Sequence, residues 1–310
     1  MKPFNQLLIL SRQTDEYQRH LEAAHLPDLQ ILTSASDTWP TAEIVFGEPD
    51  LIAPALAQLP HLKWVQSTWA GIEPLLAPAL RRDYQLTNAR GVFGGLMSEF
   101  ILTYLLLHER KVLKRLAAQQ NHTWEPIRTG SLRGKSLGLL GVGSIGAEVA
   151  RTAKFFGMQV RGYTRLSENC EAIDRYFHGP QLLEFAHDLD YLVNILPNTL
   201  STRRLVNAEL LAALPPTALF INVGRGSAVD EVALLTALAT GALAGAVLDV
   251  FEQEPLPAGH PLWSAPNVFI TSHSSAPSFP ADLAEVFCAN YRRYVAGEPL
   301  QYRVDFERGY

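Results

Sequence analysis

Three side chains in the last third of the chain suit acid–base and anion chemistry. They are Arg225 in Asn222-Val223-Gly224-Arg225-Gly226, Glu254 in Asp249-Val250-Phe251-Glu252-Gln253-Glu254-Pro255, and His273 in Ser272-His273-Ser274-Ser275. Histidine exchanges a proton near neutral pH. A carboxylate beside it favours the imidazolium and fixes its tautomer, the part that falls to Glu254. The planar fork of arginine matches a carboxylate bidentately, and the flanking Gly224 and Gly226 leave the guanidinium of Arg225 room to reach out. Taken singly, each has a plainer reading: a loop histidine is solvated, and an acid before a proline opens a turn. What joins them is position, since each follows an apolar run of strand length, ending at Val223, Val250 and Thr271. In open parallel sheets ligands bind beyond the carboxyl ends of the strands.

The elements that must position these groups are organised around Lys135 to Gly157, KSLGLLGVGSIGAEVARTAKFFG. Ser136 to Leu140 is a short apolar strand, Gly141-Val142-Gly143-Ser144-Ile145-Gly146 follows at once, and Ala147 to Phe156 continues at helical spacing. In this context Gly141 allows the tight turn, Gly143 lets the backbone approach a pyrophosphate, and Gly146 lets the helix pack close to the strand. The free N–H groups of Ser144, Ile145 and Gly146 at the helix start then face the anion. A glycine pattern alone is weak, but the flanking strand and helix make this a dinucleotide site. A hydride source beside a proton donor and a carboxylate clamp is what reduction of a carbonyl acid requires.

Alternating strands and helices fill the rest. Strands are expected at Leu7–Leu10, Leu29–Leu32, Glu43–Phe46, Leu62–Gln66 and Gln85–Asn88, with helices at Asp15–Ala24 and Leu51–Leu59, where Pro54 stands near the first turn. The stretch between the second and third strands reads as a Thr/Ser/Asp/Pro loop. A single long helix, about Leu96 to Gln119, is expected to cross between domains, followed by a polar arm carrying Trp124. Beyond the glycine motif, strands at Gln159–Tyr163, Tyr191–Ile195, Leu219–Val223, Gly245–Val250 and Val268–Thr271 alternate with helices at Gly179–Ala186, Asn207–Leu214 and Glu231–Thr240. A closing helix, Asp282–Ala296, returns to the first domain. The expected fold is α/β: a doubly wound parallel Rossmann-type nucleotide domain, 97–275, inserted in a smaller flavodoxin-like α/β substrate domain built from 1–96 plus 276–310.

The bulk properties agree. At 310 residues, two cores are expected. With 47% hydrophobic and 18% charged residues the chain is an ordinary globular one. A net charge of −5 with scattered basic pairs gives no footprint for nucleic acid. Cys170 and Cys288 supply neither a disulfide framework nor a metal-ligand set, so no metal is expected and a reducing cytoplasm fits. No run reaches the length of a membrane span, and the start, MKPFNQLLILS, is too weakly apolar for a signal peptide.

The motifs NVGRG, LDVFEQEP and SH, at these spacings, resemble the D-isomer-specific 2-hydroxyacid dehydrogenase family over essentially the whole chain. So do LRGKSLGLLGVGSIG, GVFGGLMSEF and LPNT. LPNT and PAGHPLW are most similar to the glyoxylate/hydroxypyruvate reductase branch. The resemblance implies NAD(P)H-dependent reduction of small 2-oxo acids to D-2-hydroxy acids. Arg225 would bind the substrate, His273 would protonate its carbonyl oxygen, and Glu254 would support His273. It also implies a substrate carboxylate held by the backbone of Trp69-Ala70-Gly71, with Trp69 as a pocket wall or simply buried. Cofactor contacts would come from Leu196, Pro197, Thr199, Val223 and Asp249, the last near the nicotinamide carboxamide. Ser274 and Ser275 depart from the small or apolar residues common there. The alternative is a dinucleotide-sensing regulator resembling the corepressors of the same family. Formate dehydrogenase is disfavoured, because that branch carries glutamine where this chain has Glu254.

An acid at the end of the second strand is what accepts the ribose hydroxyls of NAD. Here Tyr163 runs into Thr164-Arg165-Leu166-Ser167, with no acid until Glu168. A hydroxyl can donate to a 2′-phosphate and a guanidinium can clamp it, so NADP is the expected coenzyme, with NAD possible. The plainer alternative has Arg165 solvated and Glu168 folding back to the ribose. The extended helix and its Trp124 arm, together with the family resemblance, point to a homodimer.

Overall fold

A computed structural model describes residues 4–32, 36–165 and 167–309. The chain forms two compact units, 1–92 with 278–310, and 93–277.

The first unit is a five-stranded parallel sheet of β1 (Asn5–Leu10), β2 (Leu29–Ile31), β3 (Ile44–Gly47), β4 (Trp64–Ser67) and β5 (Gln85–Thr87), in the order β2-β1-β3-β4-β5. That is the flavodoxin-like order. Its helices are α1 (Thr14–Ala23), α2 (Pro49–Ala55) and, from the far end of the chain, α9 (Pro280–Val295). The strands are near-continuous apolar runs because both faces are covered. Phe287 of α9 stacks on Trp64 and Phe46, with centroids 5.2 and 4.9 Å away, and Asn290 donates to the Gln66 amide oxygen. These contacts draw the C-terminal helix into the first unit.

Two local readings change here. Helix α2 begins at Pro49, whose fixed φ suits a first turn, so Pro54 stands near the end instead. Lacking an N–H, it breaks the ladder, and the chain tightens into a 3₁₀ turn at Leu56–Gln58. Of the supposed loop between β2 and β3, residues 33–35 lie outside the described residues, while Ser36–Thr41 form a 3₁₀ turn.

The second unit is a seven-stranded parallel sheet: β6 (Ser136–Leu140), β7 (Gln159–Tyr163), β8 (Arg175–Phe177), β9 (Tyr191–Asn194), β10 (Leu219–Asn222), β11 (Gly245–Leu248) and β12 (Val268–Ile270). The order β8-β7-β6-β9-β10-β11-β12 is the doubly wound one, reversing between β6 and β9. Strand β8 has no counterpart in the sequence reading, being a three-residue edge strand with an exposed Arg175. Covering the sheet are α3 (Gly94–Glu109), α5 (Ser144–Phe155), α6 (Leu182–Ala186), α7 (Ala208–Ala213) and α8 (Glu231–Ala239), with α4 (Val112–Gln120) beyond α3. Asn207 caps α7 by accepting from Leu210 N–H, and Asp230 caps α8 by accepting from Val232 and Ala233 N–H.

The expected single helix from Leu96 to Gln119 is two. Lys111, at φ +53°, is left-handed and ends the first, and α3 lies wholly in the second unit. Met97, Ile101, Leu102 and Leu105 of α3 are core residues, whereas α4 buries none. The turn at Lys111 redirects the helix away from the core that its predecessor fills.

Candidate active site

Because all seven strands are parallel, the chain leaves β6, β7, β9, β10, β11 and β12 along one edge of the sheet. Three neighbouring strands end there in buried polar residues: Asn194 closes β9, Asn222 closes β10, and Asp249 follows β11. Asn194 donates to Asn222 Oδ1 at 2.8 Å and accepts from Leu196 N–H at 3.2 Å. Asn222 in turn donates to the Arg225 carbonyl. Asp249, fully buried, accepts from the Thr271 hydroxyl (2.5 Å) and from the N–H groups of Ser274 (2.8 Å) and Ser275 (3.0 Å). Its own carbonyl accepts from His273 N–H at 2.8 Å. The loop carrying the histidine is therefore pinned on both sides of a residue at φ +52°, a left-handed conformation held by its surroundings.

Sequence reading identified Asp249 but not the two asparagines or the row they form. The available signal was a polar residue ending each otherwise apolar strand, YLVN, LFIN and AVLD. Ser274 and Ser275 hold the loop through their backbone N–H groups, a part that does not depend on their side chains.

Glu254 reaches His273 across this row, its Oε2 at 2.8 Å from Nδ1, while Oε1 accepts from Phe251 N–H at 2.9 Å. Burial works to raise the Glu254 carboxyl, but the bonds to His273 and Phe251 outweigh it, so its pKa falls below the usual range. The hydrogen bond that His273 donates to Glu254 raises the His273 pKa above its ordinary value, against burial and the like charge of Arg225. With Nδ1 committed to the carboxylate, Nε2 is the nitrogen left to meet a substrate.

Arg225 lies in the neighbouring loop, with its Nη1 donating to the Gly224 carbonyl at 2.7 Å, and its charge acts on both Glu254 and His273. The flanking glycines serve another purpose than freedom for the guanidinium. A Cβ on Gly226 would overlap the Phe251 carbonyl carbon, and one on Gly224 would lie 2.8 Å from Leu196 N. They let the loops after β9, β10 and β11 close upon one another.

Next along the edge, after β6, which pairs with β9, the start of α5 fits a dinucleotide. Gly141 is at φ +98°, and a Cβ on Gly146 would overlap the Gly141 carbonyl oxygen, so this glycine holds the helix against the turn itself. A Cβ on Gly143 would meet nothing within 4 Å, leaving the approach to the helix start open. Unlike α7 and α8, α5 has no side-chain cap, which leaves the N–H groups of Ser144, Ile145 and Gly146 for an anion. Leu196, Pro197 and Thr199 form the loop after β9, closed by the Thr202 hydroxyl on Pro197 and Thr199. Val223 is a core residue and offers only its backbone. Thr164 is buried with its hydroxyl donating to Ser167, Arg165 follows it, and Leu166 lies outside the described residues. Glu168 pairs with His178 rather than folding back.

Trp69, Ala70 and Gly71 follow β4 in the first unit. The Trp69 N–H is held by Ser67 Oγ at 2.9 Å and the Ala70 carbonyl by the Asn88 amide, and the indole is half-buried.

Residues 102–275 match the family described as "D-isomer specific 2-hydroxyacid dehydrogenase, NAD binding domain". A glyoxylate/hydroxypyruvate reductase A from Salmonella heidelberg is 33% identical over 257 residues, covering 81% of this chain and 82% of that protein. A D-isomer specific 2-hydroxyacid dehydrogenase family protein from Aeromonas salmonicida superposes with a TM-score of 0.92 at 44% identity, over 97% and 99% of the two chains. The structure of a D-isomer specific 2-hydroxyacid dehydrogenase from Xanthobacter autotrophicus in complex with NADPH and MES gives 0.89 at 34% identity, over 99% and 100%.

Proposed function

The chain belongs to the D-isomer-specific 2-hydroxyacid dehydrogenase family, and from that premise we propose that it reduces small 2-oxo acids of the glyoxylate or hydroxypyruvate kind to D-2-hydroxy acids, preferring NADPH. The observation that carries this reading is the Glu254–His273 pair at 2.8 Å, with Nε2 unclaimed by Glu254 and Arg225 acting on both from the adjacent loop.

The bound coenzyme supplies a hydride to the carbonyl carbon. The protein's part is to hold and to protonate. Arg225 orients the 2-oxo acid through its guanidinium. As charge develops on the carbonyl oxygen, His273 gives up the Nε2 proton, and Glu254 stabilises the imidazolium before that transfer. Family resemblance assigns the substrate carboxylate to the Trp69-Ala70-Gly71 backbone. Since the Trp69 N–H is taken by Ser67, that part falls to Ala70 and Gly71.

Support for NADPH comes from the end of β7, where no acid stands at 164, and from the Xanthobacter relative solved with NADPH. Arg165 is the group that meets the 2′-phosphate. Thr164 contributes less, its hydroxyl hydrogen being committed to Ser167. Arg165→Ala is expected to raise the KM for NADPH about tenfold or more while leaving NADH use largely unchanged, the loss of one charge-assisted contact. Equal losses with both coenzymes, or a parent that favours NADH, would refute the assignment. Initial rates with glyoxylate, hydroxypyruvate, pyruvate, phenylpyruvate and branched 2-oxo acids, each with NADH and NADPH, test the whole reading. Absence of turnover with every member would overturn it.

A further inference from the structure

We propose that the His178–Glu168 ion pair tunes coenzyme selectivity with pH, so that the preference for NADPH weakens as pH rises. The proposal rests on the reading that the turn after β7 receives the 2′-phosphate.

Strands β7 and β8 run in parallel register, Tyr163 opposite Phe177, so Thr164 and His178 leave the sheet side by side, and Thr164 N–H donates to the Phe177 carbonyl at 3.1 Å. The imidazole then faces acceptors at both nitrogens. Nδ1 is 2.9 Å from the Thr164 carbonyl oxygen and 3.3 Å from the Thr164 hydroxyl, whose hydrogen is turned to the Ser167 carbonyl, and Nε2 is 2.7 Å from Glu168 Oε1. A carbonyl has no proton to give, so Nδ1 must carry one; an ionised carboxylate has none either, so Nε2 must carry the second. The geometry is that of an imidazolium. The hydrogen bond that His178 donates to Glu168, and then the one it donates to the Thr164 carbonyl, raise its pKa above the ordinary value, with burial opposing.

The other charged and titratable groups nearby are Arg165 on the same turn, the phenols of Tyr163 and Tyr176, and the Cys170 thiol beside Tyr176. Tyr163 donates to the Gly179 carbonyl, and the Tyr176 ring lies parallel to the imidazole at 6.4 Å. Arg175 points to the opposite face of β8, over Phe177, and pairs with Glu184. Among the described residues, Glu168 is thus the carboxylate in contact with the ring.

The consequence follows from counting charge. A 2′-phosphate carries nearly two negative charges at neutral pH. Beside it, the protonated pair is neutral overall, whereas the deprotonated pair is a bare carboxylate that repels the phosphate. Because the His178 pKa is raised, the neutral pair persists below that pKa and is lost as pH climbs through it. NADH has no 2′-phosphate and lacks the repulsion. For one unit charge acting on a dianion across several ångströms of solvent-screened space, the expected change is on the order of fivefold in affinity.

The test is equilibrium binding of NADPH and NADH by fluorescence titration, which is independent of His273 and catalysis, from about pH 6.5 to about pH 9. Parent protein, Glu168→Gln, His178→Gln and Arg165→Ala are compared through the ratio of the two dissociation constants. The parent's preference for NADPH is expected to fall about fivefold across the range. Glu168→Gln removes both the repelling carboxylate and what raises the His178 pKa, so it is expected to hold a high preference at the alkaline end, with its own change moved to lower pH than the parent's. His178→Gln is expected to show, at every pH, the low preference that the parent reaches only at the alkaline end. A parent ratio that does not change with pH, or a Glu168→Gln ratio that falls over the same pH interval as the parent's, overturns the proposal. Arg165→Ala separates the two readings. Should it weaken both coenzymes equally, the phosphate site falls and the proposal with it. If it weakens NADPH alone while the ratio stays flat in the parent, only the role of the ion pair is removed.

Discussion

At the scale of single residues, the chemistry rests on one proton and what holds it. His273→Asn is expected to lower the rate of reduction by ~10²–10⁴, the usual worth of a general acid, with coenzyme affinity unchanged because the glycine turn lies on a distant strand. Steady-state rates together with coenzyme titration check this, and near-parental turnover would remove His273 from the mechanism. Glu254→Gln acts through the same proton. The carboxylate raises the His273 pKa, and the imidazolium is the donor, so activity persists below the raised pKa and declines as pH passes through it. Without the charge, the decline should begin at lower pH; an unshifted profile of kcat/KM would contradict that role. Both residues were legible in the sequence because their types carry the chemistry and their positions follow apolar strands. His178 was not, because nothing in its neighbourhood of sequence announces that Glu168, ten positions back, would meet its ring. Only the pairing of β7 with β8 brings them together, and β8, at three residues, is too short to be read. The same holds for the buried row of Asn194, Asn222 and Asp249, whose meaning depends on register across three strands.

At the scale of elements, the site depends on loops pressed closely enough for side chains from different strands to meet. Gly226 is where the β10 loop touches the β11 loop, since an added Cβ would overlap the Phe251 carbonyl carbon. Gly226→Ala is therefore expected to destabilise the fold by about 1–3 kcal/mol, as overpacking does, and to reduce activity by moving Arg225 away from Glu254. Urea unfolding and kcat/KM measured on the same sample check it; unchanged stability and activity would show that the loops can part without cost. The glycines were visible in the sequence, but their purpose was not, because close approach is a property of two loops and the sequence shows one at a time. Helix boundaries divide in the same way. Asp230 and Asn207 announce α8 and α7 as caps. The break after Glu109 carries no such sign, since Lys111 adopts a left-handed turn without glycine or proline, and apolar residues continue past it.

At the scale of the whole molecule, the open question is what covers α4 and the segment after it. Helix α4 buries no residue, leaving Val112, Leu113 and Leu116 each close to half exposed, and Trp124 is 99% exposed. The segment bearing the tryptophan is nevertheless tied down. Arg115 donates to the Ile127 carbonyl at 3.2 Å, and Gly130 N–H donates to the Glu109 carbonyl at 3.0 Å. An exposed tryptophan beside a half-exposed aliphatic face is what a partner surface offers, since the burial of an aromatic is worth much on docking. We therefore expect a homodimer formed through the second unit. Sedimentation at micromolar concentration should give one species at about twice the 34.3 kDa chain mass. Leu113→Asp combined with Leu116→Asp should yield a folded monomer, because side chains outside the core and close to half exposed cost little to the chain's own stability when charged. Trp124→Ala should weaken association by about 2 kcal/mol, roughly thirtyfold in the dissociation constant. A parent chain sedimenting near 34.3 kDa, or a double variant that remains dimeric, would place the contact elsewhere or remove it.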